Sequence, residues 1–181
     1  MYTAGVKLCS VSVFLLAGLL LLPGRTSAQD PVAALSLVKP KPAGVAKEFR
    51  VATPDQRQLA LSEFKGKVVF LNFWATWCKP CEEEMPSMER LHRRFKDKGL
   101  VVLAISEDAD GAGLVAPYVK KHSLTFPVGL DPTMSVAGLY GVWAIPSTII
   151  IDRKGNRAFF ANGPREWDGP HAQALFQSLL P

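Results

Sequence analysis

Cysteine and histidine are scarce in this chain, with three of each among 181 residues. Cys9 lies near the amino terminus, so only Cys78 and Cys81 remain in the body of the sequence. That leaves no Cys/His set of four for structural zinc, and one C-x-x-C alone is a weak metal signal. A disulfide scaffold is also excluded. A bridge across two intervening residues closes a tiny loop and removes little entropy from the unfolded chain. No charge stripe is present either: the net charge is +5, and the basic residues are scattered, which argues against nucleic acid as a partner. Internal repeats are absent. The apolar segment Val11 to Leu22 is only 12 residues long, short of the roughly 20 that a membrane-spanning helix needs.

That short segment has another reading. Lys7 precedes it, and Thr26-Ser27-Ala28 follows it with the small residues of a cleavage point. Residues 1–28 therefore read as a secretory signal peptide, with an uncleaved N-terminal anchor as the alternative. Any membrane association would run through that leader. Removing 28 of the 181 residues leaves 153, enough for one domain with its own core, and lowers the net charge to +3. Export to a periplasmic or other extracytoplasmic space places Cys78 and Cys81 in an oxidising compartment. Cys9, in front of the apolar run, is badly placed for lipid attachment. Residues 29–46, rich in Pro, Ala, Lys and Val, read as a linker or loosely held arm, and residues 47–181 as the domain.

Within the domain, Glu48 to Ala52 and Arg57 to Leu61 read as a strand pair around Thr53-Pro54-Asp55-Gln56. Val68 to Trp74 and Leu100 to Ser106 are near-continuous apolar runs, the pattern of strands covered on both faces. Pro80 to Lys98 reads as a helix stopped by Gly99. A helix to about His122, a short strand at Phe126 to Leu130 and a short helix at Thr133 to Tyr140 follow. Ser147 to Asp152 and Arg157 to Ala161 form a hairpin, and Glu166 to Leu180 a closing helix. Strand and helix signals alternate, so the pattern predicts an α/β fold with a mixed sheet and helices on both faces.

Cys78-Lys79-Pro80-Cys81 ends the first buried run and opens the helix. A sulfur at a helix start meets exposed amides and the positive dipole end, which favour the thiolate that attacks disulfides. On the helical wheel Cys81, Glu84, Met85, Met88, Leu91 and Phe95 share one stripe, while Arg90, Arg93, Arg94 and Asp97 fall elsewhere. Of Glu82, Glu83 and Glu84, only Glu84 shares the face of Cys81. A carboxyl on an apolar face has a raised pKa and can accept a proton from Cys81. The plainer reading is that Glu84 only favours the helix's positive end. Lys79 either stabilises the Cys78 thiolate or is a solvated charge. Pro80 suits an early helical position. Trp74 reads as core, and Trp77 as a partly exposed wall of the site. Pro146 directly precedes a strand, where a cis turn would leave backbone groups free to pair with a bound peptide. His92 falls on the apolar stripe as a packed histidine, and His122 and His171 read as solvent-facing. Tyr140 and Trp143 either line a substrate groove or pack in the core.

Trp77-Cys78-Lys79-Pro80-Cys81 after an apolar strand, with a late Ile145-Pro146-Ser147-Thr148 leading into another, resembles the thioredoxin superfamily over residues 45–181. Cys78-x-x-Cys81-x-x-Glu84-x-Pro86, Ile105-Ser106-Glu107-Asp108 and Ile150-Ile151-Asp152-Arg153-Lys154-Gly155 resemble the exported TlpA/ResA-like reductases of the redoxin group. The resemblance implies a thioredoxin-like three-layer α/β/α sandwich with an N-terminal β-hairpin extension. It implies Cys78 as the attacking thiol, Cys81 as the resolving one and Glu84 as the active-site glutamate. Ile145-Pro146 would be a cis bond facing the disulfide, and Trp77, Lys79, Pro80, Ile145 and Pro146 would contact substrate. Cytosolic thioredoxins carry a buried aspartate where this chain has Asn72, so the proton-accepting role would move to Glu84.

The expected function is an exported thiol–disulfide oxidoreductase that reduces disulfides in partner proteins without a cofactor beyond its own Cys78–Cys81 pair. A membrane thiol–disulfide carrier would supply the electrons. The resemblance suggests cytochrome c maturation or copper-site cysteines as targets. A thiol peroxidase of the redoxin group and a non-catalytic copper- or partner-binding protein are the alternatives.

Overall fold

The computed structural model describes Met1, residues 29–41 and residues 43–181. The expected leader, with Cys9, lies outside the described residues. Residues 29–46 differ from the linker expectation. Asp30 accepts the Val32 N–H at 3.0 Å and caps the short helix Pro31–Ala34 (α1). Leu35 and Leu37 are buried, and Val38 and Val45 bridge to Phe160 and Asn156. The aliphatic residues in this arm have apolar surface to hide, and hiding it against the domain outweighs the proline- and lysine-rich composition.

Arg50–Ala52 (β1) and Gln58–Ala60 (β2) form the expected antiparallel pair around the Thr53–Gln56 turn. Val68–Trp74 (β3) and Leu100–Ser106 (β4) match the two apolar runs residue for residue, and every residue of both is buried. They pair in parallel from Val68 opposite Leu100 to Trp74 opposite Ser106. Parallel neighbours need a crossover, which the helix Lys79–Phe95 (α2) supplies. A 3₁₀ turn continues it to Lys98, and Gly99 ends it with a φ of 95°, a left-handed conformation that glycine adopts freely.

The chain continues through Ala112–Lys121 (α3), Val128–Leu130 (β5), Ser135–Tyr140 (α4), Ser147–Ile151 (β6), Arg157–Asn162 (β7) and Pro170–Leu179 (α5). One mixed sheet results, in the order β2-β1-β5-β4-β3-β6-β7. In β5, a Cβ on Gly129 would stand 2.5 Å from Val51 Cγ2 and 2.9 Å from Ile105 Cδ1, so only glycine lets these side chains cover the strand. The closing helix begins at Pro170 rather than at Glu166. Gly169 is its cap and proline takes the first turn, where a missing N–H costs nothing.

Alternate side chains of β3 enter two cores. Val68, Phe70 and Trp74 pack with Met85, Met88, Leu91 and Phe95 of α2 and with Leu175 and Phe176 of α5. Val69, Leu71 and Phe73 pack on the other face with Val136, Ala137 and Tyr140 of α4 and with Phe49 and Leu59. Burying a large apolar side chain stabilises by about 1.5–3 kcal/mol. These two layers therefore fix β3 rigidly, and with it whatever stands at its carboxyl end.

Candidate active site

Cys78 is the cap residue of α2, four residues beyond the end of β3. It is joined to Cys81 by a disulfide, with the sulfurs 2.07 Å apart. Cys78 is 5 % exposed and Cys81 is fully buried. The Cys81 backbone N–H donates to Cys78 Sγ at 3.3 Å. A free amide at a helix start thus points at the first sulfur, the arrangement that favours a thiolate there. Pro80 occupies the first turn, where its lack of an N–H is harmless. Lys79 is turned to water and paired with Glu82 at 3.0 Å, so its charge belongs to the helix surface.

The wheel stripe of α2 is buried as expected: Cys81, Glu84, Met85, Met88, Leu91 and Phe95 are each 2 % exposed or less. The helix continues through Pro86. Glu84 therefore lies one turn below Cys81, on the same face and inside the protein. Its Oε1 accepts Asn72 Nδ2 at 2.8 Å, and its Oε2 accepts Trp167 Nε1 at 3.0 Å and the Arg165 backbone N–H at 3.2 Å. Burial pushes its carboxyl pKa up, and the donors from Trp167, Asn72 and Arg165 pull part of the way back. A carboxylate held in that balance can take up a proton without being stranded as a bare charge. Asn72 also donates to Thr148 Oγ1 at 3.1 Å, tying β3 to β6 beneath the site.

A second buried carboxylate braces the loop before Cys78. Asp108 Oδ2 accepts the Thr76 N–H at 2.9 Å and the Ser106 hydroxyl at 2.8 Å, and its Oδ1 accepts the Thr76 hydroxyl at 2.6 Å. Next to it, Glu107 is buried with Oε1 unpartnered. Burial, with the Asp131 carboxylate nearby, pushes its pKa up to about 7. Asp131 itself is saturated, accepting the N–H groups of Ser135, Val136 and Ala137 at the start of α4.

The Ile145–Pro146 peptide bond is cis. Ser147 pairs with Phe73 in the antiparallel β3–β6 ladder, which sets Pro146 level with Trp74 at the end of β3 that leads to the disulfide. Trp77 and Trp143, each four residues beyond that Phe73–Ser147 pair, are 70 % and 86 % exposed. Trp74 is core, as expected. Tyr140 is core too, its hydroxyl donating to the Lys47 carbonyl at 2.6 Å. His92 is buried edge-on to Phe126 with its pKa lowered by burial, and His122 stacks on Tyr118. Among the described residues, no cluster of three or more His, Cys, Asp or Glu side chains could hold a metal ion. No described helix is long and apolar enough to cross a membrane. A groove of about 780 Å³ between Thr53, Arg57, Arg93, Lys120 and Phe126 includes none of the residues around the disulfide.

Residues 42–157 match the AhpC/TSA family model. The chain belongs to the AhpC/TSA family. Among curated relatives of this AhpC/TSA protein is the thiol-disulfide oxidoreductase ResA of Bacillus anthracis. It is 42 % identical over 111 residues, which cover 61 % of this chain and 63 % of that protein. ResA of Geobacillus thermodenitrificans is 38 % identical over 110 residues, covering 61 % and 63 %. The matched region thus spans just under two thirds of these relatives' length. Among solved structures, a Chlorobium tepidum protein provisionally named thiol:disulfide interchange protein DsbE is 32 % identical with a TM-score of 0.66. That match covers 75 % of this chain and 92 % of the other. A secreted thiol-disulfide isomerase from Corynebacterium glutamicum is 25 % identical, with a TM-score of 0.67 and coverage of 80 % and 90 %. The fold is thioredoxin-like, as the motifs imply.

Three residues of this AhpC/TSA protein's glutamate network escape sequence reasoning. Trp167 and Arg165 reach Glu84 from the loop before α5, a stretch read in part as helix. The Gly169-Pro170 pair is the signal that would have moved the helix start and freed that loop. Thr148 looks like any residue of a β-strand, and only the register shows that it meets Asn72.

Proposed function

We propose that this chain is an exported thiol–disulfide oxidoreductase that reduces disulfides in partner proteins. The observation that carries the reading is the Cys78–Cys81 disulfide at the start of α2, with an amide aimed at Cys78 Sγ and the buried carboxyl of Glu84 on the face below. In the dithiol form, the Cys78 thiolate attacks one sulfur of the partner's disulfide. That S–S bond breaks, a mixed disulfide forms, and the released partner thiolate takes a proton. Cys81 gives its proton to Glu84 and attacks Cys78 Sγ. The mixed disulfide breaks, the Cys78–Cys81 bond forms, and the second partner sulfur leaves as a thiolate that takes up a proton, while Glu84 gives its proton back to solvent. Two electrons have moved to the partner.

The roles follow the residues. Cys78 attacks, Cys81 resolves, and Glu84 accepts the proton. Trp77, Lys79, Pro80, Ile145 and Pro146 contact the partner chain beside the disulfide. The electrons reside in the sulfur pair itself, so no separate cofactor takes part. A membrane thiol–disulfide carrier returns the pair to the dithiol state outside the cytoplasm. The relatives' names support the chemistry, and the secreted Corynebacterium neighbour supports export. Cytochrome c maturation and copper-site cysteines are the target classes to test first.

Replacing Cys78 by Ser abolishes dithiothreitol-driven reduction of insulin; retained turnover overturns the reading. Peroxide consumption by the purified protein without insulin turnover would select a peroxidase instead, and stoichiometric copper binding without turnover a carrier.

A further inference from the structure

The amide of Cys81 and the start of α2 stabilise a thiolate on Cys78. Left alone, that bias favours the dithiol form and makes such a centre an oxidant. A reductase needs a counterweight. Lys79 does not add to the bias, because it is turned outward and paired with Glu82. Asp108 stands on the other side of the loop. It is 1 % exposed and takes three hydrogen bonds, from the Thr76 N–H, the Thr76 hydroxyl and the Ser106 hydroxyl. Ser106 in turn accepts the Asp108 N–H at 3.1 Å. Three donors converge on two oxygens, and an ionised carboxylate only accepts. Thr76 is two residues from Cys78, a span of at most about 7 Å. No base from the described residues pairs with Asp108 in an ion pair.

Resting on the reductase reading above, we propose that Asp108 is the positioning residue for Cys78 and that its carboxylate, hydrogen-bonded but without an ion-pair partner among the described residues, holds the Cys78–Cys81 couple at a more reducing potential. The clamp on Thr76 ties the loop Ala75–Trp77 to the end of β4, so Cys78 is presented from a fixed backbone. The charge raises the free energy of a neighbouring thiolate, which disfavours the dithiol form relative to the disulfide.

The test separates the two parts. Wild type, Asp108→Asn, Asp108→Glu and Thr76→Val are equilibrated in glutathione buffers and assayed for insulin reduction. Asp108→Asn, which keeps the size and loses the charge, shifts the equilibrium three- to tenfold toward the dithiol, about 15–30 mV less reducing at 29.6 mV per tenfold. Asp108→Glu and Thr76→Val keep the charge and disturb the clamp. Both stay within about twofold of wild type in the equilibrium and lose at least fivefold in rate. A shift under twofold for Asp108→Asn, or one toward a more reducing couple, overturns the proposal. So does an undiminished rate for Thr76→Val. If Asp108→Asn shows no thermal unfolding transition, Thr76→Val decides alone, its fivefold loss with a wild-type transition sustaining the clamp. Wild-type insulin turnover with an unmoved Asp108→Asn couple sinks this proposal and leaves the reductase reading standing. Absence of thiol turnover in wild type sinks that reading, while the glutathione equilibrium still reports on the charge.

Discussion

At the carboxyl ends of β3, β4 and β5, four acidic side chains are buried: Glu84, Glu107, Asp108 and Asp131. At the opposite end of the sheet, the turns before β3 and after β6 carry Lys65, Lys67, Arg153 and Lys154, all exposed. The two turns touch through Arg153 Nε, which donates to the Gly66 carbonyl at 3.3 Å. The contrast lies in solvation more than in sign. Charges in water interact weakly and are screened, so the basic turns carry theirs at little cost. Charges inside the protein must be matched by donors or must protonate. At the acidic end the protein has committed to costly buried groups, and Glu84, Asp108 and Asp131 among them have specified hydrogen-bond partners.

That contrast can be broken by substitution, beginning where the effect is largest. Trp167→Ala removes a fully buried side chain that lies edge-on to Phe70 and donates to Glu84. It should cost about 4 kcal/mol in urea unfolding, and a loss under about 1 kcal/mol would show that the network is not a structural unit. Glu84→Gln should slow insulin reduction by about ten- to a hundredfold near neutral pH. The wild-type rate should climb as pH rises through the raised Glu84 pKa, because only the ionised carboxyl accepts a proton. The variant should lack that climb, and an unchanged pH profile would remove Glu84 from the mechanism.

Glu107 gives a pH-dependent stability with a definite sign. Its folded pKa, about 7, lies above the ordinary 4.5. Its contribution is complete below about pH 4.5 and is lost as pH rises through about 7, since ionisation strands a charge beside Asp131. Glu107→Gln should therefore be more stable than wild type by about 3 kcal/mol near pH 8, the gain vanishing near pH 4. Urea unfolding at both pH values measures it, and a pH-independent difference would contradict the assignment. The smallest effect belongs to the basic end. Lys65→Ala and Lys154→Ala should each stay within about 0.5 kcal/mol of wild type in thermal unfolding.

Legibility in the sequence follows the same divide between local and remote causes. β3 and β4 were readable because continuous apolar runs of seven residues carry their own signal, and Gly99 marked the helix stop without help. The α2 stripe named Glu84 as buried from spacing alone. Its partners were hidden because Trp167, Arg165 and Thr148 lie 64 to 83 residues away, the first two meeting it from the loop before α5 and Thr148 meeting Asn72 through the sheet register. The arm before residue 46 misled for a related reason. Its composition is that of a spacer, while its few aliphatic residues find a surface that no local pattern announces.

Arg165 joins those two blind spots. Its guanidinium donates to the carbonyls of Leu35 and Ser36 in the arm and of Asn162 and Gly163 at the end of β7, while its own backbone N–H rests on Glu84. The peptide before residue 47 is thus a lever on the Glu84 carboxyl, and trimming a recombinant version back to residue 46 for convenience would disturb the network it was meant to isolate.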